Sequence, residues 1–152
     1  MPASASSATK STSVRFADTN VLLYAISRDP EEREKATRAN RILASREIAL
    51  SAQVLQEFYV QATRESRPDP ITHEQALGLV ESFLRFPVVD TTPALVLAAA
   101  TTRRRFQISY WDAAILEAAR SAGCEVVLSE DLSHGADYGG VAVENPFLPA
   151  SS

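Results

Sequence analysis

The chain is poor in the residues that most often announce a function: one cysteine, two histidines and five glycines in 152 residues, and only two lysines, Lys10 and Lys35. A lone thiol, Cys124, forms no internal disulfide, and with no His or basic neighbour in GCEVVL it reads as a small residue at the entry to a strand. His73 and His134 stand in no ligand spacing with Cys124, which argues against zinc. No glycine precedes Gly78, so the G-x-G-x-x-G turn of a dinucleotide site is missing after the first strand. No lysine follows Lys35, which removes the late-strand lysine of a phospho-accepting receiver domain. Apolar runs such as Ala94 to Ala100 fall far short of a membrane span, and the opening residues lack the apolar stretch of a signal peptide. The expected compartment is therefore the cytoplasm.

Positive charge is not in excess either. The net charge of −4 disfavours nucleic-acid binding through bulk charge but leaves room for a local site. Thirteen of the fifteen basic residues are arginine, which suits bidentate phosphate contact and equally reflects a compositional bias.

What is present is an alternation of short apolar runs and amphipathic segments. Residues 1–13 are almost all Ser, Ala and Thr and are expected to be a disordered tail, leaving one domain over 14–149. Val14 to Ala17 reads as a strand, followed by Asp18, Thr19 and Asn20 as turn and cap for a helix through VLLYAI. Glu31 to Ser45 reads as an amphipathic helix, Ile48 to Leu50 as a strand, and Ser51 as the cap of a helix over about Ala52 to Thr63. Thr72 and Gln75 form a capping box for the next helix. Val88 to Asp90 is then a strand, Pro93 to Thr102 and Trp111 to Ala122 are helices, and Glu125 to Leu128 and Val141 to Val143 are strands. This order predicts an α/β fold with a parallel sheet between layers of helices.

Four carboxylates stand out in that pattern, Asp18, Glu57, Asp112 and Asp131, and three of them lie just past an apolar run or at the start of a helix. The crevice outside the carboxyl ends of parallel strands is where side chains from distant segments meet. Converging carboxylates repel, by roughly 4 kcal/mol for two unit charges about 4 Å apart at an effective dielectric near 20, so such a group calls for a cation, protons or arginines. Magnesium and manganese take oxygen ligands and can activate water against a phosphodiester, which is nuclease chemistry. An aspartyl phosphatase would want a second acid two positions after Asp18, where Asn20 stands. Singly, each acid also has a structural explanation as a cap or turn residue. Trp111 reads as a core or interface packing residue, with base stacking as the alternative, and the run Arg103 to Arg105 as either a helix-end charge complement or an RNA contact.

The segments ADTNVLLYA, SAQVLQEFY, ISYWDAAILEAARSAGC and LSEDLSHG, with GVAVENPF after them, resemble the PIN domain family, in particular toxin ribonucleases of VapC type. The resemblance implies a three-layer PIN-like sandwich and a Mg2+- or Mn2+-dependent endoribonuclease with Asp18, Glu57, Asp112 and Asp131 as catalytic and metal-binding acids. It also implies Asn20 and Ser129 as polar supports, an RNA substrate, a cognate antitoxin and a homodimer. By the S-x-D spacing Asp131 is the site residue and Glu130 a solvated neighbour. The rival expectations are a binding module that uses the same pocket or its apolar helices without catalysis, and a housekeeping PIN nuclease.

Overall fold

A computed structural model describes residues 14–149, and the tail expected over residues 1–13 lies outside the described residues. Five short strands form one sheet: β1 (Arg15–Ala17), β2 (Ile48–Ser51), β3 (Val88–Val89), β4 (Val126–Leu128) and β5 (Ala142–Glu144). Their order is β3-β2-β1-β4-β5, and every neighbouring pair is parallel. Six α-helices flank it, α1 (Thr19–Ala25), α2 (Arg33–Ala44), α3 (Ala52–Thr63), α4 (His73–Phe83), α5 (Pro93–Phe106) and α6 (Tyr110–Ser121). This is the α/β sandwich expected from the sequence. Among the described residues no helix is long and apolar enough to cross a membrane.

The strands are apolar because both faces of the sheet are covered, so alternation gives way to runs such as IAL and VVL. Phe16, Ile48, Leu50, Val127 and Leu128 are fully buried. The helices lay matching stripes against them. Val54, Phe58 and Ala62 recur at helical spacing on α3, and all three are fully buried. Phe58 meets Phe83 of α4 edge to face, with ring centroids 5.2 Å apart. Between α5 and α6 the contact is made by Ala99, Ala113 and Ala114, whose small side chains let the two backbones approach.

The caps are those the sequence predicts. Ser51 Oγ accepts from the Val54 amide, and both arms of the Thr72/Gln75 capping box are formed. Two helices differ in extent. The segment from Pro30 begins as a 3-10 turn over Pro30–Glu32 capped by Asp29, and the α-helix starts only at Arg33. Helix α5 runs past Thr102 to Phe106, so Arg103, Arg104 and Arg105 fill its last turn, where cations offset the exposed carbonyls. It stops at Gln107, which adopts a left-handed conformation and donates its amide to the Arg103 carbonyl. Gln carries no warning of a left-handed stop, which Gly or Asn would have given.

The strand order places the functional crevice. The chain steps from β1 to β2 to β3 in one direction, then returns to lay β4 on the other side of β1. The gap between the carboxyl ends of β1 and β4 is therefore the topological switch point, with Asp18 following one strand and Ser129 to Asp131 following the other.

Replacing Phe58 by Ala should lower the unfolding free energy by about 3–5 kcal/mol, the cost of removing a buried aromatic and leaving a cavity. Urea unfolding should show this as a fall in midpoint at unchanged slope.

Candidate active site

Asp18 stands one residue beyond β1 and extends its ladder, donating its amide to the Leu128 carbonyl at 3.0 Å. Its side chain caps α1 by accepting from the Thr19 amide at 2.7 Å. The other carboxylate oxygen accepts from the hydroxyl of Ser129 at 2.7 Å. Ser129 is completely buried, and besides that bond its oxygen gathers three contacts: the amides of Asp131 and Leu132 donate to it at 3.1 and 3.3 Å, and the Asn20 side-chain amide approaches at 3.5 Å. A hydroxyl has one proton and two lone pairs, so its proton is spent on Asp18 and its acceptor capacity is fully used by these amides. Asn20, on the first turn of α1, reaches across to the same turn. Its amide nitrogen is 3.3 Å from an Asp131 oxygen, and its carbonyl oxygen accepts from the Glu130 amide.

Glu57 arrives from α3. The Thr19 hydroxyl donates to one of its oxygens at 2.6 Å and the Gln53 amide to the other at 3.0 Å. Gln53 also bonds the Trp111 carbonyl at 3.3 Å, which links α3 to the first turn of α6. Asp112 lies in that turn, its amide capped by Ser109 at 3.0 Å. The four carboxylates and Asn20 line one pocket of about 260 Å3. Ser129 lies beneath it. Thr19, Gln53 and Gln61 add polar walls that were not foreseen, beside Leu23, Trp111 and Ile115; a polar residue next to Asp18 and one turn either side of Glu57 was the available signal.

Two expectations are corrected. Glu130 is not a freely solvated neighbour: Lys35 of α2 pairs with it at 2.6 Å and the Tyr24 hydroxyl donates to it, which turns it away from the pocket. Burial pushes its carboxyl up, but the bonds from Lys35 and Tyr24 outweigh this and hold it below the usual range. Trp111 does not pack in the core; it is 64% exposed and forms part of the pocket rim.

Burial grades across the site, from Asp18 at 5% exposure through half-buried Glu57 and Asp112 to exposed Asp131. Desolvation raises the Asp18 carboxyl to about 6; the bonds from Ser129 and Thr19 resist this, while the charges of Asp131 and Glu57 add to it. The Asp112 carboxyl is also raised, first by burial and then by Asp131 and Glu57, with Ser109 opposing. The acids thus sense one another, and a positive charge placed among them would relieve the strain. All side-chain donors among them are oxygens, with no His or Cys on the pocket, which fits a hard cation and not zinc. Among the described residues no three such side chains close into a ready cation cage. Magnesium does not need one, since it keeps several waters and takes one or two carboxylates together with substrate phosphate oxygens.

Because the folded Asp18 titrates near 6 against an ordinary value of 3.8, the folded protein holds a proton over that interval which the unfolded chain has lost. Stability in cation-free buffer should therefore fall as pH rises from about 4 to 6, by on the order of 3 kcal/mol in all. Asp18→Asn should flatten that slope in denaturant titrations run at successive pH values. Ser129→Ala removes the donor to Asp18 and the acceptor for two amides, and should cost about 1–3 kcal/mol. NMR titration of the same variant should find Asp18 protonated to still higher pH.

The family model described as PIN domain matches residues 15–134. No curated protein matches the chain. Several solved structures share its fold. VapC20 of Mycobacterium tuberculosis, described as a sarcin-ricin loop cleaving toxin, is 18% identical over 77% of this chain and 89% of that one, with a TM-score of 0.60. DNA-bound VapBC from Salmonella typhimurium is 22% identical over 88% and 98%, with a TM-score of 0.63. A toxin-antitoxin complex from Klebsiella pneumoniae is 18% identical over 88% and 98%, with a TM-score of 0.64. With the family match spanning both β1 and the turn after β4, and the parallel sheet opening its crevice between them, the chain belongs to the PIN domain family.

Proposed function

We propose that this protein is a divalent-metal-dependent endoribonuclease whose catalytic acids are Asp18, Glu57, Asp112 and Asp131. The observation that carries the proposal is the convergence of these acids, from four separate segments, on one pocket at the switch point of a parallel sheet in a PIN domain. Magnesium or manganese, when bound, supplies Lewis acidity for attack of water on an RNA phosphodiester. The chain's own residues do the rest. Asp18 and Asp112 offer carboxylates already strained towards a positive charge. Thr19 and Gln53 orient Glu57, and Ser129 and Asn20 orient Asp18 and Asp131. Exposed Asp131 stands at the solvent side, where water and substrate enter.

In the same reading one domain over residues 14–149 carries the activity, and the protein acts in the cytoplasm as the toxin of a toxin-antitoxin pair. It would form a homodimer and be held inactive by a cognate antitoxin. Support comes from fold relatives solved as toxin-antitoxin complexes, the Salmonella typhimurium VapBC among them.

Purified protein with magnesium or manganese should cleave single-stranded RNA, and Asp18→Asn or Asp112→Asn should each reduce cleavage by on the order of 100-fold or more while the circular dichroism spectrum is unchanged. The metal should also raise the melting temperature of the wild type, by an amount that grows with its concentration. Intact RNA, or full activity in both variants, would refute the assignment.

A further inference from the structure

Trp111 is the only tryptophan of the chain, and the acidic pocket accounts for its placement in a way that packing does not. Among the described residues seven large apolar side chains are exposed, and Trp111 alone of these lies on the pocket that holds the four carboxylates. Its position is built. The backbone carbonyl accepts from Gln53, whose amide also holds Glu57, so the backbone that carries the indole is tied to the same framework as the acids. The ring rests edge to face on Tyr110, with centroids 5.0 Å apart and planes at 86°. The next residue in the chain is Asp112.

A protein of net charge −4 with an acidic pocket draws little affinity from attraction to RNA phosphates. Uncharged contact has to supply what charge does not. An aromatic face does so without regard to sequence, because every base presents a π-surface to it, and it does so only for bases free of their own helix. We infer that Trp111 is a substrate-positioning residue on which an unpaired base of single-stranded RNA stacks, beside the phosphodiester that faces Asp112 and Glu57. This rests on the ribonuclease reading for the identity of the ligand, and adds to it a source of affinity and a preference for unpaired strands.

Two measurements test it. In steady-state cleavage of an unstructured oligoribonucleotide, Trp111→Ala should raise KM about 5- to 150-fold and leave kcat within about twofold, and Trp111→Phe should recover most of the loss. Since Trp111 is the sole tryptophan, its emission in the cleavage-impaired Asp18→Asn protein should be quenched by the same oligoribonucleotide and much less by a blunt RNA duplex. Unchanged KM in Trp111→Ala alongside normal cleavage would overturn the stacking role and leave the ribonuclease reading standing. Quenching by single strands in a protein that cuts no RNA would support stacking and remove the nuclease assignment. Neither cleavage nor quenching would overturn both. An emission change that tracks protein concentration without RNA, with a lower oligomeric mass in Trp111→Ala by light scattering, would place a second copy of the chain on the indole and overturn the inference.

Discussion

One buried hydroxyl ties the site together. Ser129 donates its only proton to Asp18 at the end of β1 and accepts the amides of Asp131 and Leu132 in the turn after β4. The oxygen that steadies the most deeply buried acid therefore also shapes the turn that presents the most exposed one. Neither function can be lost separately, because one side-chain oxygen serves both and its donor and acceptor capacity is fully used. The strand pairing supplies the frame, with Phe16 opposite Val127 and Ala17 opposite Leu128 setting the two ends level.

Around this link the charges are sorted. Asp131 and Glu130 are neighbours in sequence, yet one faces the pocket beside Asn20 and the other is held by Lys35 and Tyr24. Lys35 thereby removes a fifth negative charge from a site already crowded with four. Asp18 is the most deeply buried of the four that remain, and its elevated carboxyl reports how far the arrangement is from electrostatic balance. The fold tolerates this cost because the sheet and helix core behind the pocket is large. Strain of this kind in an otherwise well-packed protein is expected where ligand binding relieves it.

Much of this architecture was legible in advance. Capping residues act over three or four positions, so Ser51 and the Thr72/Gln75 pair identified their helix starts, and the apolar runs identified β2 and β4 to within a residue or two. Asp18, Asp112 and Asp131 stand out by their place in the strand and helix order, whereas only the family resemblance points to Glu57. Less legible were features that depend on partners far along the chain. The grip of Thr19 on Glu57 spans 38 residues, and the engagement of Glu130 by Lys35 spans 95. Trp111 looked like a packing residue because apolar size predicts burial only on average. The extra turn of α5 was hidden by a left-handed Gln107 where no glycine marks the stop.

Local chemistry in the sequence alone determined the element types, their order and the parallel class of the sheet, because helix caps and hydrophobic periodicity are properties of short stretches. Tertiary structure decided which acids meet and in what state. Only the placement of β4 beside β1 brings Asp131 to Asp18, only the packing of α3 and α6 carries Glu57 and Asp112 to the same pocket, and only burial determines which carboxylate is driven towards its proton. Those outcomes depend on distance and dielectric in three dimensions, and neither quantity is written in the order of residues.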